Sequence, residues 1–265
     1  MNRRTFLTSA LAASCLAGVG AVRHLAAADQ NDKSTREYYE LRLYHLRRGP
    51  KVKLFNDFFR DVALPALNRQ GIGPVGIFEV MIGPDSPTLY VLLPHKSIES
   101  FATAGARVTA DPEYQKAGAE VLNLPATDPA YLRVESSLMV AFDGMPKLEA
   151  PPTNKARIFE LRTYESHSKK ANKKKIEMFN TGEIAIFRRT GLQPVFFGET
   201  LIGSRLPNLI YMLVFDDMET RNKNWAKFGA DPEWKKLSTA PGFTDGEIVS
   251  NISNVFLRPT PYSKI

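Results

Sequence analysis

Thiols are all but missing from this chain: Cys15 is the one cysteine in 265 residues, and it falls inside an N-terminal stretch that reads as removable. Without it, disulfides, cysteine nucleophiles and Cys-ligated zinc or iron–sulfur centres are all excluded. Histidine is also scarce, with four in the chain. None of His45, His95 and His167 has a carboxylate or a second histidine at ligand spacing, so no metal centre is expected. Phosphate-loop, nucleophile-elbow and zinc signatures are absent. After the first thirty residues no apolar run reaches the length of a membrane span.

The N-terminal stretch, "MNRRTFLTSALAASCLAGVGAVRHLAAADQ", places Arg3 and Arg4 before an apolar run, Phe6 to Val22, and a small-residue site at Ala26, Ala27 and Ala28. This is the pattern of a twin-arginine export signal with cleavage after Ala28, and it predicts a periplasmic or otherwise exported protein. A retained membrane anchor, or a lipoprotein anchored through Cys15, is the alternative. Cleavage would remove Arg3, Arg4 and Arg23, taking 35 basic residues to 32 against 28 acidic ones, so the formal charge falls from +7 to +4. So mild an excess argues against a nucleic-acid partner.

What is present is a repeat. "DPEYQKAG" from Asp111 returns as "DPEWKKLS" from Asp231, and "YELRLY" from Tyr39 returns as "FELRTY" from Phe159. At the same offset of 120 residues, Gly71, Pro74, Val75, Glu79, Gly83 and Pro87 recur as Gly191, Pro194, Val195, Glu199, Gly203 and Pro207. The chain is a tandem duplication. Residues 37–142 form the first copy and 157–258 the second, joined by a proline-rich linker at 143–156. Alternation, helical spacing and turn residues give each copy the order β-α-β-β-α-β, an α+β ferredoxin-like unit with a short helix begun by the Asp-Pro-Glu phrase. One such sheet would leave a bare apolar face, so the two copies are expected to cover each other as an intramolecular dimeric α/β barrel. The chain would then be a monomeric pseudo-dimer or a higher homo-oligomer.

"YELRLY", "FELRTY", "LIYMLVFDDMETRNKNWAKFGADPEW" and the Gly-x-Gly-Pro or Gly-x-Gln-Pro before the second strand resemble the NIPSNAP domain of the dimeric α/β-barrel superfamily. The resemblance spans both copies and is sharper in the second, where Arg221 and Trp234 stand in place of Phe101 and Tyr114. It implies the fold. It does not imply one activity, because superfamily relatives range from cofactor-free monooxygenases, haem-degrading enzymes and chlorite dismutases to non-enzymatic binders.

On the first strand Glu40, Arg42 and Tyr44 share one face, and Glu160, Arg162 and Tyr164 repeat them. With the alternating apolar residues assigned to the helices, these polar groups are expected in the lumen or at its rim, together with Glu79, Glu199 and the unrepeated Arg221. They read either as a ligand site, with arginine holding an anionic or carbonyl oxygen and Glu and Tyr carrying protons, or as ion pairs that fix the register of the two halves. A small-molecule ligand in the barrel, or a partner on its rim, is expected. No cofactor is expected, a haem on His95 being the weaker alternative. The run "SKKANKKK" from Ser168 reads as a solvated helix face, or as a contact for anionic lipid or nucleic acid. Trp225, Phe228 and Trp234 read as packing of the helix on the sheet. Three functional classes remain open: a binding protein, an enzyme for cofactor-independent oxygenation or isomerisation of a small aromatic or carbonyl compound, and a structural module.

Overall fold

The computed structural model describes residues 36–265, so Arg3, Arg4 and the site after Ala28 lie outside the described residues. The first copy comprises β1 (Tyr38–His45), α1 (Pro50–Phe58), α2 (Leu64–Arg69), β2 (Gly76–Ile82), β3 (Thr88–His95), α3 (Ile98–Thr109), α4 (Pro112–Leu122) and β4 (Arg133–Ala141). The second comprises β5 (Ile158–Glu165), α5 (Lys169–Met178), α6 (Ile184–Thr190), β6 (Gln193–Ile202), β7 (Asn208–Phe215), α7 (Met218–Ala230), α8 (Pro232–Ser238), α9 (Asp245–Ile248) and β8 (Asn251–Pro259). Between α1 and α2, and between α5 and α6, the helix widens into a π-helical turn at Phe59–Ala63 and Phe179–Glu183. Pro65 follows the first turn, but Ala185 holds the matching place after the second, so proline is not the cause. No helix among the described residues is long and apolar enough to cross a membrane.

All eight strands close into one antiparallel barrel in the order β1-β3-β2-β8-β5-β7-β6-β4. The halves are joined by hydrogen-bonded seams, β2 to β8 and β4 to β6, each broken by a register shift. Edge pairing of this kind removes the four free edges that two separate sheets would carry.

The lumen is a packed core. Tyr39, Leu41, Phe78, Leu92, Met139, Phe159, Val195, Met212 and Leu257 belong to one buried cluster that draws on every strand. One end of the barrel is sealed by Leu148 of the inter-copy segment and by Ile265, which is fully buried. The Ser263 hydroxyl accepts from the Ile77 amide and donates to the Ile265 carbonyl oxygen, and the Lys264 amide donates to Val75, which ties that tail to the start of β2. The other end, where both hairpins turn, stays open.

The repeated Asp-Pro-Glu phrase starts α4 and α8 as its composition predicts. Asp111 Oδ1 accepts from the amides of Glu113 and Tyr114, and Asp231 Oδ1 from those of Glu233 and Trp234. Each aspartate also binds an arginine from the helix that leads into the second strand of its copy, Arg69 of α2 or Arg189 of α6. Tyr114 and Trp234 are partly buried against their helix-side cores, less deeply than their size suggests. Asp231→Ala is expected to cost about 0.5 to 2 kcal/mol through the lost cap. Urea unfolding measures this, and Asp231→Asn, which keeps the cap but not the Arg189 pair, should recover most of it.

Candidate functional site

The placement of the polar strand faces corrects the expectation from sequence. Glu40, Arg42 and Tyr44, with Glu160, Arg162 and Tyr164, lie between the sheet and its helices, while Tyr39, Leu41 and Leu43 point into the lumen. Alternation separates two faces but does not say which of them the helices cover. In an eight-stranded barrel the lumen is narrow and takes the apolar set. The polar set goes to the helix side, where partners are available. Glu79 and Glu199 also face outward, paired with Arg258 and Lys173.

Under the helices of the second copy the polar groups are largely matched, with Arg162 Nε and Asn172 Oδ1 left without a partner among the described residues. Glu160, fully buried, accepts from Arg162 Nη1 at 2.7 Å, from Arg221 Nε and Nη2 at 2.9 and 2.8 Å, from Trp225 Nε1 at 3.0 Å and from Asn254 Nδ2 at 3.1 Å. Burial would raise the Glu160 carboxyl, but Arg221, Arg162 and Trp225 outweigh it and hold it below the usual carboxylate range. Arg162 lies 4.6 Å over the Trp225 ring and donates to the Tyr164 hydroxyl, which also accepts from Tyr211. Beside them Lys175 and Glu183 form a buried pair at 2.9 Å, with Lys175 over the Phe179 and Trp234 rings. So Lys175 leaves the solvated lysine run, whereas Lys173 and Lys174 stay in it. Arg221 is accounted for as the clamp on Glu160.

In the first copy the corresponding polar core is smaller and a space is left. Glu40 accepts from Arg42 Nε and Nη2 at 2.6 and 2.8 Å and from the Ser136 hydroxyl at 2.8 Å. His95 Nε2 is 3.5 Å from Glu40, its Nδ1 is 3.3 Å from the Ser100 hydroxyl, and its ring packs edge-on against Phe101. The His95 ring is buried, and its Nε2 makes no hydrogen bond among the described residues. Burial would raise the Glu40 carboxyl, but the His95 ring, Arg42 and Ser136 hold it down at about 2. A depressed carboxyl stabilises the fold above its unfolded value, near 4.5, and that contribution is lost as pH falls through about 2. Glu40→Gln should therefore flatten the acid limb of a stability–pH curve between those values.

The space is a cavity of about 280 Å³ between β1 and the helices. Arg42 and Tyr44 line its floor, and Phe55, Phe58, Leu67, Val108, Tyr114 and Tyr131 are among its walls. Arg42 Nη1 donates no hydrogen bond among the described residues. Burial raises the Tyr44 hydroxyl, with Arg42 opposing, so it stays a neutral donor. Offset by 120 residues, the wall positions Phe55, Ala63, Val91, Gly105 and Val108 become Lys175, Glu183, Tyr211, Trp225 and Phe228, which fill the second copy. Gly105 matters most: a side chain begun there meets nothing within 4 Å. Comparing the two copies at cavity positions, rather than seeking repeated polar groups, is the sequence signal that would have found this site.

The model of the NIPSNAP family matches the chain twice, over residues 39–138 and 159–264. Among solved structures, a candidate monooxygenase from Fusobacterium nucleatum subsp. nucleatum is similar with a TM-score of 0.57, over 85% of this chain and 93% of its own, at 8% identity. A second candidate monooxygenase, from Lactobacillus acidophilus, is similar with a TM-score of 0.55, over 84% of this chain and 94% of its own, at 9% identity. A NIPSNAP-like domain protein from Burkholderia xenovorans covers 42% of this chain and 90% of its own, at 24% identity and a TM-score of 0.37. No curated protein sequence matches significantly. At these identities the first two resemblances concern the barrel fold.

Proposed function

The chain belongs to the NIPSNAP family, and from that premise we propose that it binds a small, mainly apolar ring compound carrying one carbonyl or hydroxyl oxygen, in the cavity of its first copy. The observation that supports this most is the free Arg42 Nη1 at the floor of an aromatic-walled space that Trp225 and its neighbours fill in the second copy. Apolar walls supply affinity, and the Arg42 guanidinium with the Tyr44 hydroxyl beside it orients the ligand. The Arg42–Glu40 pair is neutral as a whole, which favours a neutral oxygen over a carboxylate. Calorimetric titration with 1-tetralone and 1-naphthol tests the reading. Saturable one-to-one binding that weakens by about tenfold or more in Arg42→Gln is expected. Failure of a wider panel of ring ketones and phenols to bind would defeat it.

Catalysis is the second reading, favoured by a fixed cation beside a neutral tyrosine hydroxyl in an aromatic-walled cavity. Arg42 would stabilise the oxyanion of a bound phenol or enolisable ketone and so ready it for oxygenation or isomerisation. The expected sign is a lowered pKa of bound 1-naphthol, read from its absorbance, that returns to the solution value in Arg42→Gln. The two arginines near the N-terminus support export. Replacing Arg3 and Arg4 by lysine should leave precursor inside the cell.

A further inference from the structure

Eleven large apolar side chains are exposed among the described residues, and all but Ile98 and Leu122 sit at the open end of the barrel. The strongest of them come in pairs related by the internal repeat. Ile82 and Ile202, the last residues of β2 and β6, are 60% and 62% exposed, and Met81 and Leu201 beside them 42% and 40%. The two copies differ at many other positions, so the same apolar exposure held twice marks this end as a surface to be covered.

At the hairpin tips the repeat carries opposite charges. Asp85 stands at the place that Arg205 takes in the second copy. Arg205 has a backbone φ of 58°, a conformation usually left to glycine or asparagine, so a charged side chain is kept there at some cost. The strand order puts the β2–β3 and β6–β7 hairpins on opposite sides of the mouth. Between them opens a cavity of about 490 Å³, floored by Leu41, Tyr90 and Leu161 and rimmed by His45, Asp85 and Arg205.

We propose that the open end docks on a second copy of this chain, mouth to mouth. The twofold axis lies perpendicular both to the barrel axis and to the line joining the hairpin tips. That axis sets Asp85 of each chain against Arg205 of the other, giving two ion pairs, and lays the Ile82 side of one mouth on the Ile202 side of its partner. A twofold axis along the line of the tips would instead oppose Asp85 to Asp85 and Arg205 to Arg205. The charges therefore select one isologous arrangement. They also disfavour an apolar lipid surface, which would take Asp85 and Arg205 out of water with only long pairs inside the chain, at 3.7 Å to His45 and Arg133 and at 3.6 Å to Glu165, to offset it. Docking closes the two mouth cavities into one shared chamber.

Sedimentation equilibrium of the full chain tests this. The unaltered chain should be a dimer at micromolar concentration. Asp85→Arg alone and Arg205→Asp alone should each weaken the dimer roughly tenfold or more, because like charges then meet. An equimolar mixture of the two variants should recover it: one variant carries a positive charge at both tips and the other a negative charge at both, so opposite charges face each other again across the interface. Ile82→Ser with Ile202→Ser changes exposed side chains without touching charge and should also dissociate the dimer, with the thermal midpoint of the monomer unchanged. A monomeric unaltered chain overturns the proposal. So does a dimer indifferent to both sets of changes, or a monomer that binds neutral phosphatidylcholine vesicles through the same isoleucines.

Discussion

Glu160→Ala should lower the stability of the folded chain by about 3 to 5 kcal/mol, because it leaves two guanidinium groups facing one another in a site built around a carboxylate. Arg162 and Arg221 both bind Glu160, and their side chains are mostly shielded from water, so neither hydrates fully when the acid is gone. Trp225 Nε1 and Asn254 Nδ2 lose their acceptor in the same change. Removing one donor has a smaller effect: in Arg221→Ala the carboxylate keeps Arg162, Trp225 and Asn254. Urea denaturation of both variants gives the comparison. A loss in Glu160→Ala no larger than in Arg221→Ala would show that the cluster does not act as one unit. The Glu160 carboxyl lies below its usual range when folded, so its contribution is complete above the unfolded value and falls away as pH drops through the folded one. Glu160→Gln should remove that acid dependence.

Gly105→Trp should abolish ligand binding in the first copy, raising the dissociation constant by at least about 100-fold, since the new ring occupies the volume in which a ligand's apolar body would be buried. The substitution reproduces the Trp225 of the second copy at a position where a side chain meets open space. Thermal stability should hold or rise, because an apolar ring replaces an empty cavity. The reciprocal change, Trp225→Ala, should behave oppositely. It removes a ring stacked on Arg162 and a hydrogen bond to Glu160, and is expected to cost about 3 to 5 kcal/mol. Undiminished binding in Gly105→Trp would place the ligand elsewhere, the barrel mouth being the next place to look.

Element order, the tandem repeat, the two Asp-Pro-Glu caps and the barrel were legible in the sequence, because they rest on local signals: strand alternation, helical spacing, proline in the first helical turn. The direction of the strand faces was not. Glu40 and Leu41 differ in polarity, but whether helices cover the acid or the leucine depends on lumen width, and that follows from the number of strands closing the ring. Nor was α9, a single turn. The ion-pair reading of Glu160 and Arg162 was available from their spacing, whereas Trp225 as the donor that seals them was not, because the contact joins residues 65 apart. Arg221, singled out as unrepeated, completes the Glu160 cluster, and the cavity proposed for a ligand lies in the copy that lacks it.

Joining the copies in one chain frees them from symmetry. In a barrel made of two identical chains, every substitution appears twice: a tryptophan that filled one half would fill the other, and a cavity opened in one would weaken both. Here Gly105 and Trp225 coexist at related positions, with Val91 opposite Tyr211 and Ala63 opposite Glu183. One half can keep a hollow while the other is packed solid and carries a disproportionate share of the fold's stability. The chain should accordingly take up a single ligand per barrel, where a barrel of two like chains would take up two.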